Sequence, residues 1–240
     1  MEGGVSMQIK VLGITLKDLG LRESLRQTDV FLKNGALNTI AYVSTQKLIH
    51  ASENEDEKSW MEELDMIVCE DSDVLHAAGI TSRSRIREVE QNEYLIELLR
   101  RIKHNRYTTY LFTDTKENLS ILEDDLHEIM SGLPIKGRAS LEEYDYNSAS
   151  IINAMNTVAP IVIISKFPYP QGTRMMHEYK MLLNAEIWIT LPDHINALKR
   201  RTLIKRLEQK IYRRQFVKKI NHFLKEDETK LEGEKDNTEM

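Results

Sequence analysis

Short runs of almost wholly apolar residues recur along this chain, and each gives way to a stretch whose apolar residues return every three or four positions. Leu37–Val43 (LNTIAYV), Met66–Cys69 (MIVC), Tyr107–Thr113 (YTTYLFT), Ile161–Ser165 (IVIIS) and Glu186–Leu191 (EIWITL) are the clearest such runs. Runs this short and continuous form strands buried on both faces, which is the environment of a parallel sheet covered by helices. Between them, Glu93–Lys103 reads as an amphipathic helix. Asp114–Ser131 carries Leu119, Leu122, Leu126 and Ile129 on one stripe before Gly132-Leu133-Pro134 stops it.

The weaker segments fit the same rhythm. Met7–Ile14 reads as a first strand, followed by a helix to about Asn34 with Gly35 just past its end. Ser44 or Thr45 can cap a helix over Gln46–Ser52, Glu53–Leu64 continues as a polar helical segment, and Val74–Ala78 is a short helix. Ile135–Arg138 adds a short strand and Ser148–Thr157 a helix. Strands alternating with helices from residue 7 to 191 predict an α/β fold: a Rossmann-like, mostly parallel sheet with helices on both faces and right-handed crossovers.

After residue 193 the alternation stops. From His194 to Lys225 eleven Lys or Arg face a single acid, Glu208, a local charge of about +10 on a chain whose net charge is −5. Leu203, Leu207, Ile211, Val217, Ile220 and Leu224 form an apolar stripe through this block, so it is expected to be a basic amphipathic helical appendage. The last fifteen residues hold seven acids and two lysines and too little apolar surface to fold. Three units follow: an α/β domain over 1–193, the appendage over 194–225 and an acidic, disordered tail over 226–240. The basic helix has three readings: a solvated face, a contact with an anionic membrane surface, or nucleic acid. Nucleic acid is the weakest, because no recognition motif precedes the helix and the body is acidic.

Other classes are excluded by what the sequence lacks. One cysteine, Cys69, rules out an internal disulfide framework, fits a reducing compartment, and sits in an apolar run as a buried side chain rather than a nucleophile. No signal peptide is expected, and no uncharged apolar run approaches the roughly 20 residues a membrane span needs. There is no Gly-rich phosphate loop, Gly-x-Ser-x-Gly, His-Glu-x-x-His or paired Cys-x-x-Cys.

Polar side chains gather instead at three predicted strand ends: Tyr42-Val43-Ser44-Thr45, Glu70-Asp71-Ser72-Asp73, and the Lys166–Thr173 loop, KFPYPQGT. In a parallel sheet these ends share one edge, where ligands bind. A carboxylate of the second group can serve as a base raised by burial and like-charged neighbours, or Asp71 or Ser72 can simply cap the next helix.

These segments, in this order, resemble the WecG/TagA/CpsF family of bacterial glycosyltransferases over about residues 7–225. Leu37–Ser44 is similar to the family strand ending in Thr-Pro-Asn, and Glu63–Asp71 to Ala-Asp-Leu-Val-Ile-Pro-Asp-Gly. Tyr107–Thr113 stands where a strand leads into Leu-Gly-Gly. Phe167–Gly172 occupies the place of Gly-Ala-Pro-Lys-Gln-Glu, and Tyr212–Lys219 resembles the basic C-terminal appendage.

The resemblance implies an inverting transferase of cell-surface polysaccharide synthesis (teichoic acid, capsule or exopolysaccharide). Such an enzyme moves an N-acetylmannosamine-type sugar from a UDP-sugar to an undecaprenyl-diphosphate-linked acceptor at the cytoplasmic face of the membrane, without metal or other cofactor. It implies Glu70, or Asp71 beside it, as the catalytic base. Tyr42, Ser44, Pro168, Gln171 and Asp193 would lie in the donor pocket, and Arg200, Arg201, Arg213 and Arg214 near the lipid diphosphate. Glu70 stands where the family has Asp, Asp71 where it has Gly, and Tyr42 and Ser44 where it has Thr and Asn. An inactive relative that binds a sugar nucleotide or a partner glycosyltransferase is the alternative, and self-association is open.

Overall fold

A computed structural model describes residues 8–17, 19–192 and 211–225. The anticipated boundary at 193–194, the stripe positions Leu203 and Leu207, the candidate site residues Asp193, Arg200 and Arg201, and the tail over 226–240 lie outside the described residues.

The chain opens on a two-stranded antiparallel hairpin, β1 (Gln8–Val11) and β2 (Ile14–Lys17), and not on the single strand expected over Met7–Ile14. Leu12 and Gly13 both have positive φ, 52° and 74°, the backbone that closes a two-residue hairpin. Ile9, Val11, Ile14 and Leu16 are buried on one side of it. The period-2 spacing on either side of Leu-Gly was the available signal for a turn in the middle of this run.

Six parallel strands make the sheet: β3 (Asn38–Val43), β4 (Met66–Cys69), β5 (Thr109–Thr113), β6 (Ile135–Ser140), β7 (Val162–Lys166) and β8 (Ile187–Thr190), in the order β4-β3-β8-β7-β5-β6. Connections running toward the β4 edge carry α2 (Thr45–Ala51), α3 (Glu55–Glu62), α8 (Ser148–Val158) and α9 (Gln171–Tyr179). These pack on a first face against Ala41, Val43, Ile67, Phe112, Ile163 and Trp188. Connections running the other way place α6 (Glu93–Asn105) and α7 (Lys116–Ile129) on the second face. There they meet Ile40, Tyr42, Val68, Leu111, Ile164 and Ile189, joined by α1 (Leu21–Phe31). Sorting faces by direction is what a uniform crossover hand produces. Within the β4–β5 crossover, α4 (Ser72–Ala77) was foreseen, but α5 (Arg83–Glu90) was not. Its sequence, RSRIREVE, buries only Val89 and so carries almost no apolar period.

Particular contacts mark the two sides of the sheet. At β6, a Cβ on Gly137 would fall 2.3 Å from the ring of Tyr110 on β5, so glycine is what lets that ring lie across the edge strand. Near β4, the helix over residues 211–225 covers the hairpin and the first-face core. Phe216 is 1% exposed, Ile220 and Phe223 pack beside it, and the Phe223 ring lies 3.2 Å from where a Gly13 Cβ would be. This revises the expected stripe. Positions 216, 220 and 223 turn inward, while Ile211 (55% exposed), Val217 (50%) and Leu224 (55%) face outward.

Removing Phe216 empties a core site, so Phe216→Ala is expected to lower the unfolding free energy by about 3–5 kcal/mol. Val217→Ala, on the outer side, should change it by less than about 0.5 kcal/mol. Urea unfolding of the two variants checks both, and equal losses would refute the assignment of faces.

Candidate active site

The carboxyl ends of β3 and β4 are held together by backbone. The parallel ladder pairs Val43 with Cys69, and Glu70 N–H then donates to Val43 O at 2.8 Å, which sets Glu70 beside Ser44. Each chain turns straight into a helix, and each turn uses a side chain as its cap. Ser44 Oγ accepts from Lys47 N–H at 3.3 Å to start α2. Asp71 Oδ1 accepts from Val74 N–H at 3.2 Å to start α4, while its Oδ2 accepts from Thr45 N–H at 2.9 Å. The capping role allowed for Asp71 by sequence is therefore real. One carboxylate stitches the two turns into a single unit.

Tyr42, one residue before the end of β3, points to the second face. Its ring is buried and its hydroxyl donates to Asn92 Oδ1 at 3.0 Å. Burial raises the phenol well above its ordinary value, with smaller contributions from Tyr94 and the Glu70 carboxylate. Toward the strand-end unit it presents its carbonyl: Tyr42 O accepts from Lys47 Nζ at 3.1 Å, and the same ammonium donates to Glu70 Oε2 at 3.1 Å. Asp71 is pushed up to about 6, chiefly by burial and further by the charges of Glu70 and Asp73, against the lowering effect of the two amides that bond it. Arg213, from the C-terminal helix, reaches this corner and pairs with Asp73 at 3.1 Å. Arg214 is exposed on the same helix. Lys219 further along pairs with Glu53 just past α2.

The β7 end is built differently. Phe167 is buried edge-on against Phe112, with ring centres 4.8 Å apart, and this pins the start of the loop. Pro168 is exposed, the Tyr169–Pro170 peptide is cis, and Gln171 is the first residue of α9, half-buried. Tyr169 leans across toward α2, its ring 6.1 Å from that of His50, and burial together with the Glu57 carboxylate raises its phenol. Thr173 Oγ1 donates to Pro170 O at 2.9 Å and steadies the turn.

Glu70, Asp71 and Ser44 thus form one constellation. Gln171 and Pro168 stand on the same edge of the sheet, but β3 and β8 intervene between β4 and β7, a separation of about 14 Å at the usual strand spacing. Reasoning from sequence missed Lys47 and Asn92. Lys47 follows Ser44 by three positions and precedes Leu48-Ile49, so its place on an inward face was the available sign. Asn92, with φ 52°, takes the left-handed turn before α6, a conformation Asn tolerates.

The Asp71 shift gives a pH test. Between its ordinary 3.8 and about 6, the folded chain keeps a proton that the unfolded chain has lost, so Asp71 favours folding at low pH and that contribution falls as pH rises through this window. The loss should amount to about 2–3 kcal/mol. In Asp71→Asn it vanishes, so the stability difference between wild type and variant should drift by that amount between about pH 4 and 7. Urea unfolding at stepped pH reads it, and parallel curves would refute the assignment.

The parallel sheet with helices on both faces is the fold class expected from the sequence. No curated protein matches the chain. The Glycosyl transferase WecG/TagA/CpsF family matches it over residues 9–198, from the hairpin through all six strands of the sheet, and the chain therefore belongs to that glycosyltransferase family.

Proposed function

We propose that the chain transfers an N-acetylmannosamine-type sugar from a UDP-linked donor to an undecaprenyl-diphosphate-linked acceptor, with inversion, in the assembly of a cell-surface polysaccharide. The observation that carries the reading is the carboxylate of Glu70 at the carboxyl end of β4, inside a family match that spans the sheet. In such a displacement the acceptor hydroxyl oxygen bonds to the anomeric carbon, its proton passes to the base, and the bond from that carbon to the diphosphate oxygen breaks as UDP leaves. Glu70 would take the proton, with Asp71 next to it. Gln171, Pro168, Ser44 and Tyr42 would border the donor, the last through its backbone.

The outer side of the 211–225 helix supports the acceptor half of the proposal. Ile211, Val217 and Leu224 are exposed there among Arg214, Lys218 and Lys225, a mixture suited to an anionic bilayer surface. Arg213 and Arg214 have the forked geometry that grips a lipid diphosphate. Among the described residues no helix is long and apolar enough to cross a membrane.

A second reading, a relative that binds a sugar nucleotide or a partner glycosyltransferase without turnover, is favoured by one observation. Ser44 and Asp71 use their side-chain oxygens to cap α2 and α4, and Tyr42 buries its ring on the second face.

Incubation with a panel of UDP-N-acetylhexosamines and an undecaprenyl-diphosphate-linked acceptor in anionic vesicles separates the two. Acceptor-dependent UDP release that falls by about a hundredfold or more in Glu70→Gln is the expected outcome. Donor binding without release in either protein selects the second reading, and absence of any donor binding overturns both.

A further inference from the structure

The first turn of α2 holds a cation where the fold gives it little reason to be. Lys47 is the third helical residue after the Ser44 cap, at the end of the helix where the backbone dipoles already concentrate positive charge. Its side chain does not run out to water either, since the residue is only 6% exposed. An ammonium taken out of water is tolerated only when its hydrogen bonds are answered. Two of them are, at 3.1 Å each: one by Tyr42 O, one by Glu70 Oε2.

The choice of partners matters. Tyr42 O belongs to β3, which is paired with β4 at Tyr42 itself and with β8 up to Ala41, so the ammonium is anchored on sheet backbone. Glu70, whose side chain is 13% exposed, is then referenced to the sheet through Lys47. Among the described residues, the charged and titratable groups around the pair include Asp71 on the same loop, Asp73 at the start of α4, Arg213 answering Asp73 from the C-terminal helix, and the Tyr42 phenol on the far face. Lys47 therefore lies where negative charge is crowded. Glutamate also has one more rotatable bond than the aspartate of the family motif, and each free torsion widens the positions its oxygens sample.

We propose that Lys47 is a positioning residue. Anchored on the Tyr42 carbonyl, its ammonium holds the Glu70 carboxylate in one place at the end of β4, so that the longer acid acts as a defined base. The role rests on the transfer reading above and acts through Glu70.

The test uses the full chain with Lys47→Met, Lys47→Gln, Glu70→Gln and the Lys47→Met/Glu70→Gln double variant, in the transfer assay and in urea unfolding. Loss of positioning by about an ångström should lower kcat on the order of a hundredfold while donor KM stays within about twofold. The double variant should be no slower than Glu70→Gln alone. The unfolding cycle should also be non-additive, which reads the pair independently of turnover. If Lys47→Met does not fold, Lys47→Gln, which retains a donor for Tyr42 O, carries the same comparison.

An unchanged kcat in Lys47→Met, a change confined to donor KM, or additive unfolding losses would each overturn the positioning role while leaving transfer intact. A wild-type chain that binds donors but turns none over would overturn the transfer reading, and the role with it.

Discussion

Because β3, β7 and β8 are buried on both faces, a polar group inside them must find its partner within the protein, and a polar group meant for a ligand must stand at the strand ends. The interior obeys the first condition: Trp188 Nε1 donates to Ser165 Oγ at 2.8 Å, and that oxygen lies 2.9 Å from Thr190 Oγ1. The edge obeys the second. All six strands run the same way, so their carboxyl ends offer one border on which Ser44, Glu70, Asp71 and the cis-proline loop are arrayed. The architecture decides where chemistry can be placed before any one residue decides what it is.

The parts of the fold that were legible in the sequence are those where burial is complete. Met66–Cys69 is read directly as a strand because every residue is apolar, and α7 because four leucine and isoleucine positions keep helical spacing. Segments that are half-covered were harder. The hairpin was read as one strand because the turn between its two halves contains a leucine, which keeps the run apolar across the change of phase. The stripe of the basic helix was only partly right: Ile220 is covered as expected, but Val217 and Leu224, as apolar as Phe216 and Phe223, are exposed, and only packing against the first-face core determines which set is covered. Tertiary contact, and not periodicity, makes that choice.

At the site, residue types were legible and partnerships were not. Carboxylates at the end of β4 announce themselves, but sequence cannot say that Asp71 bridges two helix starts or that a lysine 23 positions before Glu70 will bond it. Such bonds depend on the register between β3 and β4, which places Glu70 next to Val43, and a slip of one residue would exchange the faces on which they point. The same limit applies to the family motif. Where the resemblance sets Glu70 against an Asp and Asp71 against a Gly, the letters record only a loss of pattern. The coordinates show that the incoming groups are tied into one hydrogen-bonded unit with Lys47 and Thr45.

Phe223 resting on Gly13 has a consequence for how the polypeptide is made. The hairpin leaves the ribosome about two hundred residues before the helix that shelters its tip. Synthesis at about 5–20 residues per second leaves that tip uncovered for on the order of ten to forty seconds. During that interval the nascent chain exposes a small greasy patch that the 211–225 helix later hides.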